Sequence, residues 1–172
     1  FIVSSDMVGE IRALTFDDES EIVELIKACI FNGDELHIGE LVANDANVWA
    51  FYKLEIFTII FEDHPIFGYF EQDKLLGLAC CSTQINDMYQ LKQKTATGVI
   101  TMTHPEHRLK GIATKLRIQI GKELHNRGIS KFIFEIKNNN QASLKNAQKI
   151  AEKLKAQTNL VSFKFEGNTN VF

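Results

Sequence analysis

The sequence is poor in proline and cysteine and has no long hydrophobic run. Two prolines and ten glycines among 172 residues leave no room for a long flexible linker. The apolar stretch at residues 56–61 is interrupted by Thr58, and no apolar run in the sequence approaches the roughly 20 residues that span a membrane. The first residues lack the basic flank and apolar stretch of a signal peptide. We therefore expect one folded domain over residues 1–172, located in the cytoplasm and without a membrane span.

The three cysteines cannot all pair within the chain. Cys80 and Cys81 are neighbours and would point to opposite faces of a strand, and Cys29 lies far away in sequence. No spacing links a cysteine to a histidine as a metal site requires. We expect buried, reduced cysteines and no bound metal.

Charge is distributed unevenly along the chain. Residues Phe1 to His107 carry 18 acidic and 6 basic side chains, a net charge of −12, whereas Arg108 to Lys155 carry 12 basic and 3 acidic ones, a net charge of +9. A basic block suggests an anionic partner, either nucleic acid or a phosphate-bearing cofactor, and an acidic region suggests a cationic one. A solvated helix face would show the same pattern.

Hydrophobic periodicity predicts the order β-α-α-β-β-β-α-β-α-β, an α/β fold of the α+β type with a mixed sheet. Asp18 is predicted to cap the first helix by accepting from the amide of Glu21. Residues 35–47 read as irregular. The predicted strands are Glu10–Thr15, Phe67–Glu71, Lys74–Ser82, Thr97–Thr103, Ser130–Lys137 and Leu160–Phe165. The predicted helices run from Asp18 to about Asn32, over Val48–Phe61, over Gly111–Asn126 and from Asn140 to Leu154.

The segment Thr101–Thr114 is the most informative in the chain. A β-branched strand ends, Pro105 turns the chain, and a helix begins near Gly111. The first amides of a helix lack internal partners and carry the positive end of its dipole, so an anion can sit there. The pattern predicts a phosphate or pyrophosphate on the amides from Leu109 to Thr114, with Arg108 and Lys110 adding positive potential. It matches neither a P-loop nor the three-glycine dinucleotide fingerprint, and a strand–turn–helix without ligand would also fit.

Two segments resemble the GNAT superfamily of N-acetyltransferases. His104–Ala113 is similar to the family's acetyl-CoA pyrophosphate loop, and Asn140–Lys149 resembles its segment from the fifth strand to the fourth helix. Ile11-Arg12 followed by Asp18 is a weaker third match. The resemblance covers nearly the whole chain and implies a splayed, mostly antiparallel sheet flanked by about four helices. It also implies transfer of an acetyl group from acetyl-CoA, used as cosubstrate, to a primary amine by direct attack in a ternary complex.

The same resemblance implies which residues contact the cofactor. Met102 and Thr103 would pair through their backbones with the pantetheine arm, and Asn140 and Ser143 would touch its far side; Asn140 also fits a simple helix cap. The backbone of the pyrophosphate loop would hold the diphosphate through Arg108, Leu109, Lys110, Gly111, Ile112, Ala113 and Thr114.

The catalytic side chains of the family are less visible. Thr97 stands where many members carry a glutamate, and Ala147 where many carry a tyrosine acid. An amine acceptor must lose a proton before it attacks, and an amide near Thr103 is the natural donor to the oxyanion. We predict Glu135 as the base, with Glu35, His37 and Glu40 as alternatives. No catalytic role is assigned to His64, His104, His107 or His125.

Three hypotheses follow. The first is an N-acetyltransferase acting on a cationic small-molecule or peptide amine. The second is an inactive or weakly active acyl-CoA-binding module of the same fold, suggested by Thr97 and Ala147. The third is a nucleic-acid-binding domain, which the scarcity of aromatic residues in the basic block disfavours. The oligomeric state, monomer or homodimer, stays open.

Overall fold

The computed structural model describes residues 9–84, 94–133 and 141–153. The chain divides into two compact units, Phe1–Glu135 and Ile136–Phe172. The described part of the second unit is one helix, Gln141–Lys153. Asn140, Glu135 and the predicted strand Leu160–Phe165 lie outside the described residues, and the single domain stays a prediction. In the described part of the chain, no helix is both long and apolar enough to cross a membrane.

The described strands of the first unit are β1 Glu10–Ala13, β2 Glu35–Leu36, β3 Gly39–Glu40, β4 Ile66–Glu71, β5 Lys74–Gln84, β6 Thr95–Thr103 and β7 Lys131–Ile133. Five of them form a sheet of order β1-β4-β5-β6-β7. Neighbouring strands in this sheet are antiparallel except β6 and β7, which are parallel. The other two, β2 and β3, form a small hairpin where the sequence predicts irregular structure.

The predicted helices are present, with one earlier start. The second begins at Asp45 rather than Val48 because Asn44 caps it, its side-chain oxygen accepting from the Asn47 amide at 2.8 Å. This helical stretch changes to a π-helix over Tyr52–Phe57 before it ends. The α-helices are α1 Glu19–Phe31, α2 Asp45–Phe51, α3 Thr58–Phe61, α4 Ile112–Asn126 and α5 Gln141–Lys153.

Apolar side chains pack on both faces of the sheet. Leu78 and Cys80 of β5 belong to the core under α1 and α2, whereas Ala79 and Cys81 belong to the core under α4. Neighbouring strand residues point to opposite faces, as the sequence predicts for Cys80 and Cys81. All three cysteines are buried and free. Burial raises the pKa of Cys29 to about 12, so this thiol stays protonated.

The predicted capping role of Asp18 is wrong. Its side chain makes no cap hydrogen bond to α1. It accepts instead from both terminal nitrogens of Arg12, at 2.8 and 3.0 Å, and from the Thr15 amide at 2.9 Å. Glu21, the expected capping partner, accepts from the Leu75 amide at 2.9 Å and so ties α1 to β5. A bidentate guanidinium is a stronger partner for the carboxylate than a helix amide.

The Arg12–Asp18 pair predicts an acid-sensitive part of the folding stability. The hydrogen bonds from Arg12 lower the pKa of Asp18 below its ordinary value. Because the pKa of Asp18 is lower in the folded than in the unfolded protein, the pair stabilises the fold above roughly pH 4. This stabilisation is lost as the pH falls through the pKa that Asp18 has in the folded protein. Asp18→Asn should cost about 1–2 kcal/mol at pH 7 and progressively less below pH 4, measured by urea unfolding. Asp17→Asn, at an exposed neighbour, is the control, and a cost of Asp18→Asn that does not change with pH would contradict the assignment.

Candidate functional site

The loop from β6 to α4 has an unusual backbone. A short turn, Pro105–His107, is capped by the His104 ring, whose Nδ1 accepts from the Glu106 amide at 3.2 Å. Leu109 then has a φ of 64° with a fully exposed side chain, and Gly111 has a φ of 78°. A left-handed leucine is strained, and such residues are found preferentially at ligand sites and switches.

The start of α4 is arranged to receive an anion. Gly111 is the N-cap residue and supplies no side-chain cap, and the first backbone bond of the helix runs from the Lys115 amide to the Gly111 oxygen at 3.1 Å. The amides of Ile112 and Ala113 therefore precede the first intrahelical bond, at the positive end of the dipole. A Cβ placed on Gly111 would meet no protein atom within 4 Å, so the backbone there is open to a ligand.

Positive charge surrounds this loop. Lys110 is exposed and its Nζ lies 3.2 Å from the Nδ1 of His107. The pKa of His104 is lowered, first by burial and then by the charges of Lys74 and His107. A lowered pKa keeps the His104 ring neutral, so the positive potential comes from lysine and arginine rather than from this histidine.

Arg108 is bound to the protein itself. Its guanidinium pairs with Asp34, just beyond α1, and donates to the Thr103 oxygen at 3.4 Å. Asn32 Nδ2 donates to the other oxygen of Asp34 at 2.8 Å. Burial alone would raise the pKa of Asp34, but the hydrogen bonds from Arg108 and Asn32 outweigh it and the pKa is lowered. The Arg108 side chain thus ties the loop to α1. The sequence analysis did not find Asp34, which lies 74 residues away.

The last residues of β6 have backbone groups on the side of the strand that faces away from β5. Met102 lies opposite Leu78 and Thr103 opposite Gly77, and the His104 amide donates to the Leu76 oxygen at 2.8 Å. Because peptide groups alternate sides along a strand, those of Met102 face β5 and those of Thr103 face away from it. The Thr103 oxygen also accepts from Cys29 Sγ at 3.6 Å.

The sheet changes register next to this edge. The β5–β6 register shifts between Cys80 and Ser82, close to Gly98, which has a φ of 67°. The described pairing of β6 with β7 covers Thr95–Thr97 only, so the edge from Gly98 onward has no described strand partner. Bulges of this kind are common beside active sites because they re-aim the backbone.

The candidate bases that the structure describes lie in or beside the β2–β3 hairpin. Glu135, the first candidate base, and Asn140, a predicted cofactor contact, lie outside the described residues, and the predicted contact Ser143 lies on α5 in the second unit. His37 Nε2 lies 3.2 Å from Glu55 Oε2, and its ring packs edge-on against Phe51 with centroids 5.7 Å apart. Glu55 was not predicted. The one signal in the sequence that could have indicated Glu55 is its position as the single acidic residue among the mostly apolar residues 54–61. Glu35 and Glu40 lie opposite each other in the β2–β3 hairpin.

One group of metal-type side chains occurs among the described residues. Ligand atoms of His104, Glu106 and His107 lie within 4.8 Å of one another. The Nδ1 atoms of both rings already contact the protein, at the Glu106 amide and at Lys110 Nζ. Two rings that act as acceptors through Nδ1 carry their proton on Nε2 when neutral, which disfavours ligation there. The absence of a metal stays a prediction.

The start of α4 has no side-chain cap and lies beside the end of β6, which has no described strand partner from Gly98 onward, an arrangement in an α/β domain that can receive an anionic ligand. The model of the acetyltransferase (GNAT) family matches residues 31–151 of this sequence. The chain therefore belongs to the GNAT acetyltransferase family and is an acyltransferase. No match was found among curated proteins.

Solved structures agree with this fold. An N-acetyltransferase from Staphylococcus aureus Mu50 is 23% identical, with a TM-score of 0.62 over 83% of this chain and 81% of that one. A Salmonella typhimurium protein, determined with its cofactor acetyl-CoA, is 19% identical, with a TM-score of 0.62 over 83% and 78%. An aminoglycoside N-acetyltransferase in complex with CoA is 16% identical, with a TM-score of 0.60 over 93% and 95%. The predicted mixed, mostly antiparallel sheet with four helical segments is confirmed.

Proposed function

We propose that the protein transfers an acetyl group from acetyl-CoA to a primary amine by direct attack in a ternary complex. The observation that carries the proposal is the start of α4, where Gly111 leaves the first amides uncapped and accessible. Similar folds determined with acetyl-CoA or CoA support the choice of cosubstrate.

The binding residues follow from the geometry of the loop and strand. The amides from Arg108 to Thr114 hold the diphosphate, as the sequence predicts, and Lys110 adds positive charge. On β6, the outward peptide groups are those of Thr101 and Thr103, so Thr101 pairs with the pantetheine arm and the Thr103 amide is left to face the thioester. The peptide groups of Met102, a predicted contact of the arm, are turned toward β5 instead. Asn140 and Ser143 stay predicted contacts on the far side of the cofactor.

The chemistry needs a neutral amine and a donor to the oxyanion. Acetyl-CoA supplies the activated thioester. The Thr103 amide, which faces away from β5, is the proposed donor. Glu135 is the proposed base, and His37 is the alternative that the described contacts support, because Glu55 orients its ring. Positioning two reactants side by side removes much of the barrier by itself.

The acceptor that we propose is a cationic small-molecule or peptide amine. The first 107 residues carry a net charge of −12, which attracts such a substrate. One structural neighbour is an aminoglycoside N-acetyltransferase, whose named substrates are amines of this kind. A single domain over residues 1–172 and a cytoplasmic location remain part of the proposal.

A second candidate is an acyl-CoA-binding module without turnover. Thr97, on β6, and Ala147, on α5, occupy the positions where the resemblance places a catalytic glutamate and tyrosine. Ala147 has no titratable group, and the Thr97 hydroxyl, although it can donate a hydrogen bond, does not ionise near neutral pH as a general base or acid should. Binding of the acyl-CoA would then regulate the protein rather than consume the thioester.

One pair of measurements tests both candidates. Saturating acetyl-CoA should stabilise the fold by about 2.7 kcal/mol at 100 times its Kd, seen as a rise of several degrees in melting temperature. Pantetheine, which lacks the diphosphate, is the control and should give a much smaller shift. Thiol release is then measured across a panel of amines.

The outcomes separate the hypotheses. A shift with turnover supports the transferase, and a shift without turnover for any amine supports the binding module. An equal shift with pantetheine, or no shift with acetyl-CoA, would remove the diphosphate site on which both proposals depend.

A further inference from the structure

We propose that a pocket between the start of α1 and the α2–π segment binds the ammonium group of an organic cation. The pocket has a volume of about 360 Å³, which lies within the range of small-molecule sites. Its lining consists of three aromatic rings, one carboxylate and one lysine, namely Trp49, Tyr52, Phe57, Glu19 and Lys53. The inference goes beyond the proposed function, since it uses none of the residues assigned to acetyl-CoA.

The three rings are arranged as a box rather than a stack. Trp49 and Tyr52 are nearly perpendicular, at 85° with centroids 6.0 Å apart, and Tyr52 and Phe57 are likewise at 82° and 6.5 Å. Tyr52 is almost wholly buried and forms the floor, whereas Trp49 and Phe57 are 43% and 41% exposed and form the walls. Because the rings meet edge to face and are not stacked flat on one another, Trp49 and Phe57 keep exposed ring surface that a cation can contact.

The π-helix is what brings two of these rings together. Tyr52 and Phe57 are five residues apart, and residues so spaced share a face in a π-helix but not in an α-helix, where neighbours are three or four apart. Phe57 is held in place by Phe16, with centroids 4.9 Å apart, and by stacking on Phe61. Single π-turns within helices are frequently found at functional sites, and here the π-helix places Phe57 in the wall of a pocket.

The charge in the pocket selects a cation over a neutral apolar ligand. The Tyr52 hydroxyl donates to Glu19 Oε2 at 3.4 Å, and burial together with this carboxylate raises the pKa of Tyr52. The hydroxyl therefore stays protonated, and Glu19 provides a half-buried negative charge beside the rings. Lys53 is exposed, so its ammonium can turn out to solvent. Aromatic faces and one carboxylate attract a quaternary or alkylated ammonium, whose weak hydration makes it easy to bury.

Tryptophan fluorescence reports on this pocket alone, because Trp49 is the only tryptophan in the sequence. The test is a titration of the full chain with choline at constant ionic strength, following Trp49 fluorescence. The matched control is 3,3-dimethylbutan-1-ol, which has the same shape without the charge. We expect a saturable change with choline and at least roughly tenfold weaker binding of the alcohol.

Variants test the individual groups. Glu19→Gln and Phe57→Leu should each weaken choline binding severalfold, and Lys53→Gln should strengthen it. Phe31→Leu, at an exposed phenylalanine outside the pocket, should leave it unchanged. Circular dichroism checks that each variant folds, and the comparison of choline with the alcohol in the unaltered protein does not depend on any variant.

Three results would overturn the proposal. Equal binding of choline and the alcohol would show an apolar pocket without cation selectivity. The absence of a saturable change would show no binding. A fluorescence change that depends on protein concentration instead of choline would show that a second copy of the chain covers the aromatic face.

Discussion

Gly111→Ala is expected to weaken acetyl-CoA binding by roughly 10- to 100-fold, because a methyl group would stand in front of the amides that we propose as the diphosphate site. In the protein alone the added Cβ meets no atom within 4 Å, so it intrudes only on the ligand. The residue has a φ of 78°, and alanine in this conformation also costs about 1–2 kcal/mol of stability. Calorimetric titration measures the affinity, and urea unfolding measures the stability.

The opposite end of the same helix provides a matched control. Gly128 has a φ of 73°, and its added Cβ likewise meets nothing within 4 Å. Gly128→Ala should therefore carry a similar cost in stability while acetyl-CoA binds as before. If both variants lost affinity equally, the loss would come from strain in α4, and the diphosphate site at Gly111 would be refuted.

Asp34→Asn is expected to weaken acetyl-CoA binding about five- to tenfold, although Asp34 carries the wrong charge to bind a diphosphate. The reason is that Asp34 holds Arg108, which in turn holds the Thr103 oxygen and the start of the loop. Removing the charge releases the loop and costs about 1 kcal/mol of stability, a modest value because the Arg108 side chain is 43% exposed.

Whether Asp34→Asn weakens or tightens acetyl-CoA binding distinguishes two roles for the Arg108 side chain. If its guanidinium served chiefly as a phosphate ligand, Asp34 would compete with the cofactor, and Asp34→Asn would tighten binding. Asp45→Asn removes an equal charge from a surface pair with Lys27 at 3.5 Å and controls for the change in net charge. Tighter binding in Asp34→Asn alone would show that Arg108 contacts the diphosphate.

The strand, turn and helix of the loop from β6 to α4 could be predicted because their signal is local. A β-branched strand, Pro105, Gly111 and an apolar stripe on one helix face lie within about 25 consecutive residues, and each acts through its own backbone or its own helix. The burial of Ile112, Leu116, Ile120 and Leu124 follows from their spacing of four.

Other contacts could not be predicted because their signal is divided between distant residues. Asp18 has a cap pattern, yet Arg12, brought near by the turn after β1, takes its carboxylate. Asp34 shows no motif, and its role appears only when α1 ends beside Arg108. A change from α to π-helix likewise leaves no pattern in the run from Tyr52 to Phe57.

By itself, the sequence determined the order of the described helices and of the five main strands, the two faces of β5 and the start of α4 after Gly111. These depend on local spacing and backbone preference. Only the tertiary structure decided which charged side chains pair, which way the peptide groups at the end of β6 point, and that Trp49, Tyr52 and Phe57 enclose a pocket beside Glu19. Which charged side chains pair and which rings enclose a pocket depend on distances between residues that are far apart in sequence. Packing sets these distances, and the spacing of residues along the sequence does not reveal them.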